Sequence, residues 1–418
     1  MQLAFVNLAP EQRFEQQNIL LPVIFRAKAY RKWGMARMMN GIDLDGVQMD
    51  EPNYARDLLT ASFDESDVFI SLPDDKCINT RKTWRLILAE LVSSCDWLGG
   101  QGLLPFIESP QGHKICRACS FNRSDSNAYA PFSFNREPAE GEDPLWQPRE
   151  WPAVQAALKE ARETSSKKRR AEIFKEQGFN KLYYAQDPEQ LPFSFPLQMP
   201  HDNFHVFADG LLRSHAAWLF YVLFKMGLTL DDVNYEIRRY AYWPADVVIP
   251  PLHSNLQEGT AGRKPKSSRC LRMTGSQVSH FTIHSVNLLT PLLTDRMRLN
   301  PAWVSWVKLV QLYIVTIKHS NTVDDVDMID DLQFEYSELF DTVPEFVGLK
   351  RPKHHMLIHL ATELWRYGPA RGYWTMPFEA FNKVIKAGAQ SSNWKHESRS
   401  VAHYWMMKWG RYLAGGSF

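Results

Sequence analysis

Apolar residues recur at helical spacing through most of residues 200–350, and this pattern sets the expected architecture. His205 to Met226 is almost unbrokenly apolar and stops at Gly227. Thr229 is placed to cap a second helix over Leu230 to Tyr240. Asn300-Pro301 opens another, whose Trp303, Trp306, Val307, Val310, Ile314 and Ile317 form one stripe predicted to be core. The helix after it carries Asp324, Asp325, Asp327, Asp330, Asp331, Glu335 and Glu338, which the pattern assigns to a solvated face rather than a metal site. Nearer the C-terminus, Pro352 suits the first turn of a helix that Gly368-Pro369 stops, and a further helix opens at Pro377.

The N-terminal part has a different rhythm. Leu3 to Leu8 and Ile19 to Phe25 are apolar runs of strand length, and Lys28 to Asn40 is helix-like up to Gly41. Asp43 and Asp45 then fall in a turn-like segment. Leu86 to Trp97 is a strongly apolar run that periodicity assigns to neither helix nor strand; Asp96 stands at its end, before Gly99-Gly100. As the end of a buried strand it would present a carboxylate, and as a turn it would merely cap one. Tyr129 to Trp151 is rich in Pro, Glu and Asp and reads as a linker. From Trp151 the chain is helical, continuing through Lys159 to Arg170.

Composition narrows the class. A chain of 418 residues that is 44% apolar, with 14 Trp and 24 Phe, can bury a substantial core and is not a disordered segment. A formal net charge of +1 leaves any nucleic-acid contact to local patches. Five Cys, with one C-x-x-C among them, make no disulfide framework and fit a reducing compartment. No signal peptide stands at Met1, and the longest apolar run, Ala216 to Phe224, is too short for a bilayer, so a soluble intracellular protein without membrane contact is expected.

Three local patterns carry chemistry. Cys116-Arg-Ala-Cys119 can bite one zinc ion with two thiolates, which leaves two positions of a tetrahedron to fill. His355 and His359, one turn apart on a helix, have the spacing to fill them, and His354 could replace His355 with a five-residue bite. A site with four protein ligands would be structural. The alternative is two unrelated thiols and two ordinary histidines. Arg263, Lys264, Lys266, Arg269 and Arg272 stand within ten residues among Gly, Pro, Ser and Thr, with no acid between them. This is either a phosphate-contacting loop or a plain basic loop. Lys167 to Arg170 is a basic run that could serve nuclear import or phosphate contact; a solvated helix face is the commoner outcome.

The order of these motifs resembles the Tnp2-like transposases of the CACTA (En/Spm) group. The likeness runs from Asp96 through Cys116-x-x-Cys119 and a long helical stretch to Pro352-Lys-x-His355-x-x-x-His359, Tyr367-Gly-Pro and Phe378-Glu-Ala-Phe-Asn. Asn7-Leu-Ala-Pro resembles the Asn-Leu-Pro segment of that group, and His201-Asp202-Asn-Phe-His205 its Asp-Pro-Met-His motif, with Phe204 in place of Met. The V(D)J recombinase catalytic subunit is similar in layout, with a zinc-binding Cys pair after its second Asp and a His pair before its Glu.

The resemblance implies an α+β, mainly helical fold: a truncated RNase H-like catalytic core interrupted by a large all-α insertion. Residues 1–132 would form the N-terminal part of the core, 133–350 the linker and helical insertion, and 351–418 the returning part of the core. Asp96 and Glu379 would be the second and third catalytic carboxylates of a DDE site holding Mg²⁺, with the first strand and its Asp missing ahead of Met1. Zn²⁺ would join Cys116, Cys119, His355 and His359. Lys383 and Lys386, on the face of Glu379, would either contact DNA or simply pair with it. Asp202 and His205 would lie at the base of the insertion, in packing or hydrogen-bonding roles by default and in metal contact otherwise. The implied activity is cut-and-paste transposition in the nucleus, acting on transposon DNA ends, with homo-oligomerisation open; the alternative is a catalytically inactive, zinc-stabilised DNA-binding or regulatory protein.

Overall fold

A computed structural model of the chain describes residues 114–125, 129–133, 146–179, 200–241, 247–256, 265 and 268–376, together with positions 3–4, 19–20, 390, 404 and 407. The chain divides into two compact units, one of Met1–Ser93, Leu182–Gln198 and Phe378–Phe418, the other of Ser94–Lys181 and Met199–Pro377. In the first unit the described elements are β1 (Leu3–Ala4) and β2 (Ile19–Leu20), paired antiparallel with Leu3 opposite Leu20. Both fall inside the runs expected to be strands.

In the second unit the described elements are helices. α1 (Trp151–Glu163) packs against α2 (Lys167–Gln177). The single helix expected here is broken at Thr164–Ser166, because the Ser166 hydroxyl accepts from Arg169 N (3.2 Å) and starts a new helix. Arg170 donates to the Ala161 and Thr164 carbonyls (both 2.8 Å), and Arg169 pairs with Glu160 (2.8 Å). Half of the basic run is thus engaged in joining two helices. Gly178 ends α2 in the left-handed region (φ 72°), where a Cβ would fall 2.2 Å from the Lys114 carbonyl oxygen.

α3 (Asn203–Val206) runs through a π-helical turn, Phe207–Leu211, into α4 (Leu212–Lys225). Thr229 caps α5 (Leu230–Arg239) by accepting from Asp232 N (3.1 Å). There follow α6 (Gly275–Leu289), α7 (Asp295–Arg298), α8 (Pro301–Thr316) and α9 (Val323–Thr342). The last stretch is α10 (Pro352–Met356), a 3₁₀ turn at Leu357–His359, and α11 (Leu360–Tyr367). The helix expected to run unbroken from Pro352 to Gly368 is therefore tightened in its middle.

The core lies between α4, α6, α8 and α9, with Trp218, Phe220, Phe281, Trp306, Leu309 and Phe340 buried in it. Asn300 and Pro301 start α8 as expected, with Asn300 Oδ1 accepting from Ala302 N (2.9 Å). Trp303, Trp306, Val310 and Ile317 are buried, but Ile314 is 40% exposed. The buried face is instead a double column that includes Ala302, Ser305, Leu309, Leu312 and Tyr313. On α9, Asp324, Asp327, Asp331 and Glu338 are exposed. Asp325 and Asp330 are buried with structural partners, Asp325 in the cap with Thr322 and paired to Lys318 (2.6 Å), Asp330 accepting from Ser133 (2.5 Å).

The π turn exists because α10 plugs it. Lys353 Nζ donates to the carbonyls of His205 (2.6 Å) and Asp209 (2.9 Å), and Gly210 leaves room for it, since a Cβ there would lie 2.5 Å from Lys353 Cδ. Lys353→Met is expected to orphan both carbonyls and cost about 1–3 kcal/mol, read as a lower denaturant midpoint at unchanged slope. No described helix is long and apolar enough to cross a membrane.

Candidate metal centre

Residues 114–121 form a tight knuckle. Ala118 N donates to Cys116 Sγ (3.3 Å), so the backbone already turns its amide toward the first thiol. A short antiparallel contact pairs Cys119 with Pro148, with Ser120 N on Gln147 O and Arg149 N on Ala118 O, both 2.8 Å. Arg149 Nε then donates to the carbonyls of Cys116 (3.0 Å) and Cys119 (2.9 Å). One guanidinium thereby fixes both ends of the C-x-x-C turn. The stretch expected to be a linker is well packed where it is described: Trp146 is buried beside the thiols, and Phe132 and Tyr129 pack against the same cluster.

The two histidines arrive from a segment more than two hundred residues away. Cys116 Sγ lies 3.3 Å from His359 Nε2, at a separation of 243 residues, and Cys119 Sγ lies 3.2 Å from His355 Nε2. The two Nε2 atoms are 3.4 Å apart. All four donor atoms lie within 4.8 Å of one another and all four residues are buried. A tetrahedral zinc ion with Zn–N of about 2.0–2.1 Å and Zn–S of about 2.3 Å has donor–donor edges of about 3.3–3.8 Å. The set therefore has the right atoms at close to the right separations, and it can hold a metal ion such as zinc.

Without a metal this arrangement is electrostatically tense. Burial works to raise the Cys116 thiol, but the hydrogen bond from Cys119 and the facing His359 and His355 rings bring it well below the ordinary thiol value. Burial, together with the Cys116 sulfur, pushes Cys119 well above it. Burial pushes His355 down to about 4, so its lone pair is free for a metal at neutral pH. Ionisation of the Cys116 thiol is thus favoured and that of Cys119 opposed, an imbalance that a bound cation would relieve.

Aromatic groups close the site. Phe121 lies over His355 (centroids 3.8 Å, planes at 30°), and the Trp146 edge meets the same ring at 6.1 Å. His201 stacks on His359 (5.1 Å, 15°). Glu363, one turn beyond His359, receives His201 Nδ1 at 2.7 Å and the His201 backbone N–H at 3.0 and 3.1 Å. Burial disfavours charge on His201, but the Glu363 carboxylate outweighs it and holds the ring's pKa above the ordinary value.

The other sequence-predicted residues fall out as follows. His354 does not substitute for His355: its ring is stacked between Trp218 and Tyr336, and its Nδ1 accepts from Arg351 N (2.9 Å). Asp202 caps α3 through Phe204 N (3.1 Å), accepts from Thr375 N (2.9 Å), and bonds the Thr375 hydroxyl and His205 Nδ1. Arg269 donates to the Leu256 carbonyl (2.7 Å) and covers the Tyr221 ring, whereas Arg272 is exposed. Asp96, Arg263, Lys264, Lys266, Glu379, Lys383 and Lys386 lie outside the described residues. Arg149, Phe121, Trp146, His201 and Glu363 were not singled out by the sequence. His201, beside Asp202, was the nearest to being found.

Among the described residues, fold and site together define a mainly helical protein with a buried Cys2His2 cluster able to bind a metal ion. No family model matches the chain, and neither the curated proteins nor the solved structures give a significant match.

Proposed function

We propose that the protein is a transposase-derived, zinc-stabilised DNA-binding protein of the Tnp2-like type, acting in cut-and-paste transposition in the nucleus. The observation that supports this reading is the meeting of Cys116 and Cys119 with His355 and His359 across the whole helical stretch. Two thiolates and two imidazoles suit Zn²⁺, and four protein donors leave no position open for substrate, so the ion would be structural. Its contribution would be to close the chain between the Cys pair and the His pair. In sequence, Asp96 precedes that closure and Glu379 follows it.

In this reading Asp96 and Glu379 are carboxylates of an RNase H-like core, and hard oxygen donors of this kind would hold Mg²⁺. Mg²⁺, when bound, supplies activation of water or a 3′-hydroxyl and stabilisation of the leaving oxygen in phosphodiester hydrolysis and strand transfer. The basic side chains of residues 263–272, and Lys383 and Lys386, supply the phosphate contacts.

The test uses the zinc-loaded chain with plasmid DNA. DNA retention is expected at 50 mM salt and should fall steeply by 200 mM. Where the catalytic role is retained, Mg²⁺-dependent nicking follows and is abolished by Asp96→Ala and by Glu379→Ala with binding intact. Nicking that survives both substitutions removes the catalytic assignment. Binding without nicking in the native chain assigns the non-catalytic, regulatory role instead. No binding at low salt removes the DNA reading as a whole.

A further inference from the structure

The metal cluster has a fifth donor beside it. His201 is 2% exposed, and its buried Nε2 has no partner at full hydrogen-bond geometry, the Cys116 sulfur being the side-chain atom nearest to bonding it. Its other ring nitrogen is committed, because Nδ1 faces Glu363 Oε1 at 2.7 Å and the same carboxylate grips the His201 backbone N–H. Whenever the ring is neutral, the form that a nearby bound cation favours, its one proton therefore sits on Nδ1 and Nε2 presents a lone pair. The ring lies parallel to that of His359, and the polar group it faces on the cluster side is the Cys116 sulfur.

A histidine that donates one N–H to a buried carboxylate and aims the other nitrogen at a cation site has the outer arrangement found for metal-ligating histidines. The carboxylate fixes the tautomer, sets the ring's orientation and strengthens Nε2 as a donor. Yet His201 is not in the compact group of four whose donor atoms lie within 4.8 Å of one another. It stands one place back, next to Cys116 rather than Cys119. A buried nitrogen left unpaired costs about 1–3 kcal/mol, so such a group persists most easily where it has a use.

Resting on the reading of the cluster as a metal centre, we infer that His201 is a reserve ligand, which takes the metal through Nε2 when Cys116 is withdrawn and leaves a site of Cys119, His355, His359 and His201. Zinc accepts sulfur and nitrogen donors alike in tetrahedral sites, so the exchange keeps coordination number and closure. Besides His355, the groups acting on Cys119 among the described residues are Cys116, Phe121 and Arg149, with no further imidazole among them. The two cysteines are therefore unequal.

The test is a Co²⁺ titration of the full chain, read by the tetrahedral d–d bands and the thiolate-to-cobalt absorption. The native protein should show absorption from two sulfurs; its absence would remove the metal-centre reading itself. Cys116→Ala should keep the tetrahedral bands, with absorption scaled to one sulfur. Adding His201→Phe to Cys116→Ala should weaken Co²⁺ binding by a further ~100-fold or more, beyond the ~10–100-fold typical of losing an outer partner alone. His201→Phe by itself should keep both sulfurs bound. Cys119→Ala should lose binding more severely than Cys116→Ala. The inference is overturned if the double variant binds within threefold of Cys116→Ala. Equal loss in the two single cysteine variants overturns it too, as does failure of Cys116→Ala to fold in saturating Co²⁺, since a reserve ligand would rescue it.

Discussion

Stripping the metal is expected to undock the 114–121 knuckle and Trp146 from the 355–363 segment while most of the helical core survives. The asymmetry follows from what each part rests on. The core helices bury Trp218, Trp306, Phe281 and Phe340 against one another and need no ion. The knuckle has few residues of its own; it is held by Arg149, by the Phe121–His355 contact and by the four donors. Without a cation, each sulfur faces an imidazole nitrogen at 3.2 or 3.3 Å and the two nitrogens face each other at 3.4 Å. A ligand present at a thousandfold excess over its Kd stabilises by about 4 kcal/mol. For a unit of this size that corresponds to a fall in Tm of roughly 8–16 °C on chelation. Far-ultraviolet dichroism should change little before melting, while tryptophan fluorescence and proteolysis within residues 114–150 should respond at once. His359→Ala should match the chelated protein and respond no further to chelator. Identical melting with and without chelator would sink the assignment.

The candidate metal site was legible because C-x-x-C and H-x-x-x-H are local spacings that suit a metal ion's bite, and each survives being read alone. That they meet is a long-range fact, and spacing could only permit it. The groups around the donors were not legible for the same reason. Trp146 sits in a Pro- and acid-rich stretch that looks like a linker, and nothing local marks Arg149 as the residue that closes the Cys116–Cys119 turn. His354 and His355 are indistinguishable in sequence; only the helix phase sends one ring to the core and the other to the sulfurs. The helical character of residues 200–350 came through clearly, since Gly227, Thr229 and Asn300-Pro301 punctuate a strong apolar period. The break at Thr164–Ser166 did not, because a lone Ser cap inside a charged run leaves the composition unchanged on either side. The burial of Asp325 and Asp330 escaped because a residue's partner across the fold, here Ser133 for Asp330, cannot be inferred from period.

Acidification from pH 6.5 to pH 4 is expected to destabilise the helical unit steeply, and His215 isolates the cause. Its ring is fully buried among Trp306, Tyr336, Phe340 and Phe346, with Nδ1 on the Tyr336 hydroxyl (3.0 Å) and Nε2 on Ser305 Oγ (3.3 Å). Burial pushes its pKa down to about 3. His354, buried beside it and near Lys350, is likewise held well below the ordinary value. In the unfolded chain each returns to about 6.5. Between the two values the unfolded state binds protons that the native state refuses, so stability is fully present above pH 6.5 and is lost as pH falls toward the native pKa. Each such group contributes a slope of about 1.4 kcal/mol per pH unit in that window. His201 has the opposite sign, because its raised pKa makes its contribution fade as pH rises, above the window in question. Loss of a bound metal in acid would act in the same direction as His215, but it would be common to any variant that keeps the four donors. His215→Phe retains an aromatic ring in the cavity and cannot titrate. Its denaturant midpoint should be lower than the native one at pH 7.5, where Tyr336 and Ser305 lose their partner, yet fall less on acidification. The native-minus-variant difference should shrink by about 1.4 kcal/mol per unit below pH 6.5. A difference that stays constant down to pH 4 would mean that His215 takes up its proton in the folded state, and that its burial does not hold it neutral.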